Sequence, residues 1–363
     1  MALCIFIDFI NGGQNMPKYV LKRLILVLFT AFIVLSLTFF LYKSLPLDIP
    51  LAGGKDAAAT YLHNQYILGY VIRFNEAHPE YGELLGGRGF EIGNTGQLYY
   101  YYSRPIIEQY FNWLKNIFTK WDWGVSSNLY PNQSAMGIIV KKLPVTIELN
   151  LISIVISLPL GIIIGIIAAL NKDKPIDHVI NTLIMIIIAL PSFITILYLI
   201  IIFGYNLHWL PVRFADATAP FIEHLKSLVI PVLALSIGTV AGFARFVRAE
   251  LCEVMSSDYL LLARTKGLTR RQAIIHHALR NSMVPVVPMV IAEFIGILGG
   301  SMVLENLYNI RGVGNIYMNA YSAKDYTLLL ANTAFYTIIG LASSVLVDIS
   351  YGFIDPRIRM GAK

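Results

Sequence analysis

Few residues in this 363-residue chain are of a type and spacing that could do chemistry, and the adjacent histidines His276 and His277 come first. A metal site needs ligands that converge, and neighbours on a helix point about 100° apart, so this pair would not clamp one ion. Cys4 and Cys252 are far apart and form neither a metal nor a disulfide pattern. Cys4 also lacks the charged, apolar leader of a lipoprotein cysteine. Gly86-Gly87-x-Gly89 does not open a helix after a strand with a trailing acid, and no Gly-rich run ends in Gly-Lys-Ser/Thr. No Ser, His and Asp fall at a shared depth that would suit hydrolysis. The chain is therefore expected to be no enzyme and to bind no metal or cofactor itself.

Two features remain. Glu293 falls near the middle of a long apolar segment, where a carboxylate is costly and normally faces a partner or a water-filled cavity. It is expected to line a pathway; the plainer account is a protonated carboxyl in a packing hydrogen bond. Glu148, Glu305 and Asp348 lie nearer segment ends, where interfacial solvation is expected to suffice. The second feature is Ser257–Pro285, the most basic stretch of a very apolar chain. It reads as two short helices with a hinge. Ser257 is placed to cap the first, with Asp258 at its positive end and Arg264 and Lys266 at its negative end. Gly267 sits where a helix C-terminus wants positive φ. Thr269 with Gln272 spells a capping box for the second helix, which carries His276, His277 and Arg280. Tyr259, Leu262, Ala263 and Lys266 share one face, and Leu260 and Leu261 make the rest too apolar to lie bare in water. A docking element is expected, against the alternative of a basic loop resting on lipid headgroups.

The elements that must position these residues are membrane spans. The chain is 56% hydrophobic and 14% charged, with mean hydropathy +0.63. Soluble globules run nearer about 25% charged, so this chain has too few charges for a water-facing surface. A net charge of +6 could point to nucleic acid, but basic residues gathered at span ends need no such partner. The first apolar run, Leu24–Tyr42 behind Lys22 and Arg23, is long for a signal peptide and lacks a small-residue cleavage site. Five more spans follow at about 145–170, 178–203, 228–247, 284–304 and 328–353. Pro159 and Pro191 are expected to kink their helices, and Gly161-x-x-x-Gly165, Gly296 and Gly299-Gly300 to let helices approach closely. Lys18, Lys22, Arg23, Lys172, Lys174, the Arg245–Arg280 loop, Arg357, Arg359 and Lys363 fall on one face. That excess of positive charge predicts a multi-pass cell-membrane protein with both termini, and the basic loop, in the cytoplasm.

The division expected is an extension over 1–17, a first span over 18–43, an outer region over 44–143, a core over 144–353 with a loop at 250–283, and a tail over 354–363. Met16 is a candidate start. The outer region is polar and Tyr-rich; Tyr99 to Tyr102 fit either an edge strand or an interfacial patch. Near 105–121, Ile106, Tyr110, Trp113, Leu114, Ile117 and Trp121 follow helical spacing, which predicts a Trp-bearing face lying on the membrane surface.

Ala263-Arg264-x-Lys266-Gly267-Leu268, followed by His277-Ala278-Leu279-Arg280-Asn281 and Pro285, resembles the cytoplasmic loop of ABC importer permeases of the peptide/nickel branch. The general form of that loop begins Glu-Ala-Ala; Leu261-Leu262-Ala263 stands here instead, a departure read as a branch marker. LENLYNIRGVGNIYMNAYSAKDY and Phe353-Ile354-Asp355-Pro356-Arg357-Ile358-Arg359 resemble the B-type subunit of oligopeptide and dipeptide permeases. The matches run over about 17–42 and 105–359, and the residues before 105 look like an insertion.

The resemblance implies an all-α integral membrane protein with the six transmembrane helices of the type I ABC importer permease fold and a large extracytoplasmic region between spans 1 and 2. It implies a companion C-type permease, two cytoplasmic ATPase subunits holding ATP and Mg, an extracytoplasmic solute-binding protein, membrane lipid, and peptide as cargo, with no nucleic acid. The coupling residues it implies are Asp258, Tyr259, Leu262, Ala263, Arg264, Lys266, Gly267, Leu268, His277 and Arg280. Trp121, Trp123 and Arg311 are candidates to touch the binding protein. Import of nickel or another solute of the same branch, and a passive channel, are the alternatives.

Overall fold

The apolar run behind Lys22 and Arg23 forms part of a long helix, α1 (Met16–Lys43), in a computed structural model that describes residues 16–45, 49, 54–92, 96–215 and 218–354. The first fifteen residues, most of the Leu45–Pro50 exit and the basic tail beyond residue 354 lie outside the described residues. Among those described, four helices are long and apolar enough to cross a membrane, or six if each of two bent pairs counts as one span. The chain divides into two compact units. One takes in 145–310 with the described parts of 1–28 and 339–363; the other takes in 29–144 and 311–338.

In the first unit, α4 (Ala135–Leu170) enters at Val145 and runs on unbroken, carrying Pro159 within it. The segment 178–203, expected as one kinked span, is broken instead. α5 (Pro175–Ala189) stops, and α6 (Ser192–Leu199, continuing as a π-helical stretch Ile200–Asn206) leaves at 99°. Pro191 has no N–H to donate, and its ring pushes Leu190 into extended backbone (φ −89°, ψ 119°), so the helix cannot pass through. α7 (Phe221–Met255) is continuous. The segment 284–304 is also interrupted. α10 (Val286–Gly296) follows Pro285 at a 50° bend, a 3₁₀ turn covers Ile297–Gly299, and a separate α11 (Met302–Leu307) begins after Gly300.

Gly161 and Gly165 do bring helices together. A Cβ on Gly161 would meet Phe243 Cβ at 2.7 Å, and one on Gly165 would meet the Ala244 carbonyl at 2.7 Å. α4 and α7 therefore pack backbone to side chain, a contact any larger residue would wedge apart. Gly296 and Gly299 play no such part: among the described residues, nothing lies within 4 Å of a Cβ built on either.

The second unit holds the first half of α13 (Tyr326–Ile354), α2 (Gly54–Ile67), α3 (Ile106–Lys120), α12 (Val313–Ser322) and a small antiparallel sheet. Strands β1 (Val71–Phe74), β2 (Phe90–Glu91) and β3 (Leu98–Ser103) stand in the order β1-β3-β2, with Ile72 opposite Tyr102 and Phe90 opposite Tyr99. The tyrosine run is thus the central strand, neither edge nor interfacial patch, and Tyr101 and Tyr102 are buried. The Arg73 guanidinium lies 4.4 Å from the ring centroids of both Tyr66 and Tyr99, a cation–π sandwich.

α3 forms over the stretch its periodicity marks, and protein covers its Tyr110–Trp113–Ile117 face, while Ile107, Phe111 and Phe118 on its other side stay exposed. Tyr110, Trp113 and Ile117 are buried in a cluster with Phe39, Trp123, Ile139 and Leu328; the Trp113 ring centroid is 4.9 Å from that of Phe39. Protein covers the face that periodicity left uncovered. Asp325 anchors the same unit. Its buried carboxylate accepts the Ser126 hydroxyl at 2.5 Å and the N–H groups of Ser127, Asn128 and Leu129 at 3.0–3.2 Å. Its other oxygen accepts the Leu328 N–H at 3.2 Å, capping α13.

Candidate functional site

α8 (Asp258–Thr265) leaves α7 after Met255 and rests on a single leucine. Leu260 is buried with Ala169 of α4, Leu251 of α7, and Ala273, Ile274 and Ala278 of the following helix. Leu261 and Leu262 stay 60% and 56% exposed, and Tyr259 is exposed beside them. Asp258, Arg264, Lys266 and Gly267 are exposed as well, while Ala263 and Leu268 are half-buried. A short helix tied down along one edge thus offers an apolar face framed by cations, a surface suited to a partner's groove rather than to water.

The local devices that shape it are mostly those its residues spell. Gly267 has φ +97°, and its N–H reaches the Arg264 carbonyl at 3.0 Å. Thr269 and Gln272 form a reciprocal capping box. Ser257 departs from its expected role. It has the extended backbone of a cap, but its hydroxyl donates to the Val254 carbonyl at 2.5 Å instead of accepting from α8. The next helix, α9 (Arg270–Ser282), loosens into a π-helical stretch over Ile274–Ala278. His276, His277 and Arg280 all project from it exposed.

Glu293 lies half-buried on α10 and accepts a hydrogen bond from the Thr239 hydroxyl of α7 at 3.3 Å. Thr239 in turn lines an open cleft of about 560 Å³. Its walls are Ile187, Ile188 and Leu190 from the end of α5, Ser192 and Thr195 from the start of α6, Met289 of α10, and Gly238, Thr239, Gly242, Arg245 and Phe246 of α7. The break at Pro191 therefore opens onto this cleft. That placement suits an interrupted span, because irregular backbone in an apolar segment is tolerated only within protein or beside water. Sequence reading named Glu293 and Pro191 but missed the floor. The spacing Gly238-x-x-x-Gly242-x-x-Arg245 on one helical face was the available signal.

Several acidic residues are better partnered than interfacial solvation requires. Glu305 is fully buried, accepts from the Thr146 hydroxyl at 3.2 Å, and sits against Gly300, which has φ +61°. Glu148 pairs with His224 at 3.0 Å, and Asp348 pairs with Arg23. Asp177, 1% exposed, takes a two-pronged contact from Arg248 at 2.6 and 2.7 Å, joining α5 to α7.

Of the outer candidates, Trp121 is 63% exposed at the left-handed C-terminus of α3, and Arg311 is exposed. Trp123 is only 3% exposed, with its ring edge-on to both Trp113 and Trp121, so it offers a partner almost no surface here.

Residues 161–360 match the family described as the binding-protein-dependent transport system inner membrane component. An oligopeptide transport system permease protein of Haemophilus influenzae is 31% identical over 345 residues, 95% of this chain and all of that protein. A dipeptide transport system permease protein of Lactococcus lactis subsp. cremoris is 30% identical over the same share of each. Its counterpart in Bacillus subtilis is 31% identical over 348 residues, 96% of this chain and all of that protein.

Proposed function

The chain belongs to the family of inner membrane components of binding-protein-dependent transport systems, and from that premise we infer that it is a permease subunit of an ATP-driven peptide importer. Six crossings are the natural count if each bent helix pair is one span. The excess of Lys and Arg on one set of loops then assigns both termini and the α8–α9 loop to the cytoplasm. A companion permease supplies the other half of the pathway. Two ATPase subunits, carrying ATP and Mg, supply the energy, and an extracytoplasmic binding protein delivers the cargo.

The observation that carries the reading is the exposed face of α8, with Tyr259, Leu261 and Leu262 bare and Arg264 and Lys266 beside them. In the ATPase groove this face is covered. Leu260 ties α8 to Leu251 on α7 and Ala169 on α4, so displacement of α8 moves those helices instead of bending a loop. ATP-driven closure of the ATPases acts through that contact, and the cleft beside Thr239 and Glu293 changes the side to which it opens. The driving force is the difference in α8 contacts between the two ATPase states.

The test is uptake of a labelled peptide by vesicles holding the complete transporter. Accumulation is expected only with ATP on the ATPase side. Equal uptake without ATP would mark a passive channel and overturn the reading.

A further inference from the structure

Gly161 and Gly165 have an evident purpose, since a Cβ on either would strike α7. Gly238 and Gly242 do not: a Cβ on either would meet nothing within 4 Å of it among the described residues. Glycine costs a helix about 1 kcal/mol relative to alanine, and packing among the described residues offsets none of it. These two line the cleft floor, Gly238 next to Thr239 at the Glu293 contact and Gly242 between that contact and Arg245. Arg245 is exposed on the same wall, a guanidinium where the other α7 lining residues are uncharged.

Thr239 and Arg245 are six positions apart on α7, about 9 Å of helix rise. Three residues of extended peptide span about 10 Å. The cleft thus has a carboxylate beside Thr239, a cation farther along α7 past Gly242, and a helix rise from Thr239 to Arg245 comparable to a short peptide's main chain. Its remaining walls are mostly apolar, Ile187, Ile188, Leu190, Leu235, Phe246 and Met289 outnumbering the hydroxyls of Ser192 and Thr195, and the unbranched thioether of Met289 adapts to many shapes.

Resting on the peptide-importer reading, we propose that this cleft is a transit station that holds a peptide by its termini, the ammonium toward Glu293 and the carboxylate toward Arg245. Gly238 and Gly242 leave room for the main chain. The apolar walls take side chains without selecting among them. Recognition by termini suits a pathway that must pass many sequences but reject uncharged apolar solutes. The cleft is open, and the polar backbone freed at Leu190–Pro191 faces it, so a charged peptide enters without full desolvation.

The experiment uses the complete transporter, with Cys4 and Cys252 of this chain replaced by alanine, partner thiols likewise removed, and Gly242→Cys introduced. The rate at which a small thiol reagent labels the new site is measured with and without millimolar tri-alanine. Tri-alanine is expected to slow labelling at least fivefold. Glu293→Gln and Arg245→Gln are each expected to remove most of that protection. N-acetyl-tri-alanine amide, which has the same shape and no terminal charges, is expected to protect less than twofold. Equal protection by both peptides, or none by either, overturns the station. ATP-driven uptake by the unsubstituted transporter is measured in parallel, and its failure would instead overturn the importer reading on which the station rests.

Discussion

α3 and α8 are both short helices with more apolar surface than water tolerates, and the fold anchors them to very different degrees. α3 leaves Ile107, Phe111 and Phe118 exposed on one face but commits Tyr110, Trp113 and Ile117 on the other to a core already supplied with Phe39, Trp123 and Leu328. α8 commits only Leu260 and leaves Tyr259, Leu261 and Leu262 outside. The difference separates internal stability from unmet demand. A face buried within the chain is spent, whereas one left open beside a well-anchored residue is held ready for something else. Trp123 and Trp121 repeat the contrast two residues apart, one enclosed and the other 63% exposed.

The comparison predicts opposite consequences of truncation. Trp113→Ala should cost about 3–5 kcal/mol of stability, the loss expected for a large aromatic removed from a packed core. A large drop in thermal midpoint and in folded yield would register it, and an unchanged midpoint would show that α3 is not the fixed element described here. Leu262→Ser on α8 should move stability by less than about 0.5 kcal/mol, because the side chain is already 56% exposed. Uptake should nevertheless fall severalfold at equal abundance. A stability loss as large as that of Trp113→Ala would mean that α8 packs internally and is no free dock.

What could be read from the residues alone follows the range of the forces involved. The capping box at Thr269–Gln272 and the positive φ at Gly267 are set within four residues, so type and spacing suffice. The break at Pro191 is local too, although its 99° angle depends on what α6 packs against. The burial of α3's Trp face was illegible for another reason: periodicity marks an apolar face without saying whether protein or lipid covers it. Glu305 looked interfacial because its concealment depends on Thr146, far away in the chain. Asp325 is likewise a hub only because the loop at 126–129 folds onto it. The tyrosine strand was ambiguous until β1 and β2 flanked it.

The central claim is that α8 is the point at which a partner's ATP chemistry enters the membrane helices. Gly267→Val places a β-branched residue at φ +97° and deforms the turn that ends α8, while Arg264→Glu reverses a charge on its exposed face. ATP-dependent peptide uptake by these two variants, measured at membrane abundance matched to the unsubstituted protein, tests the claim most directly. The account predicts that both lose uptake while still reaching the membrane. Normal uptake by both would contradict it.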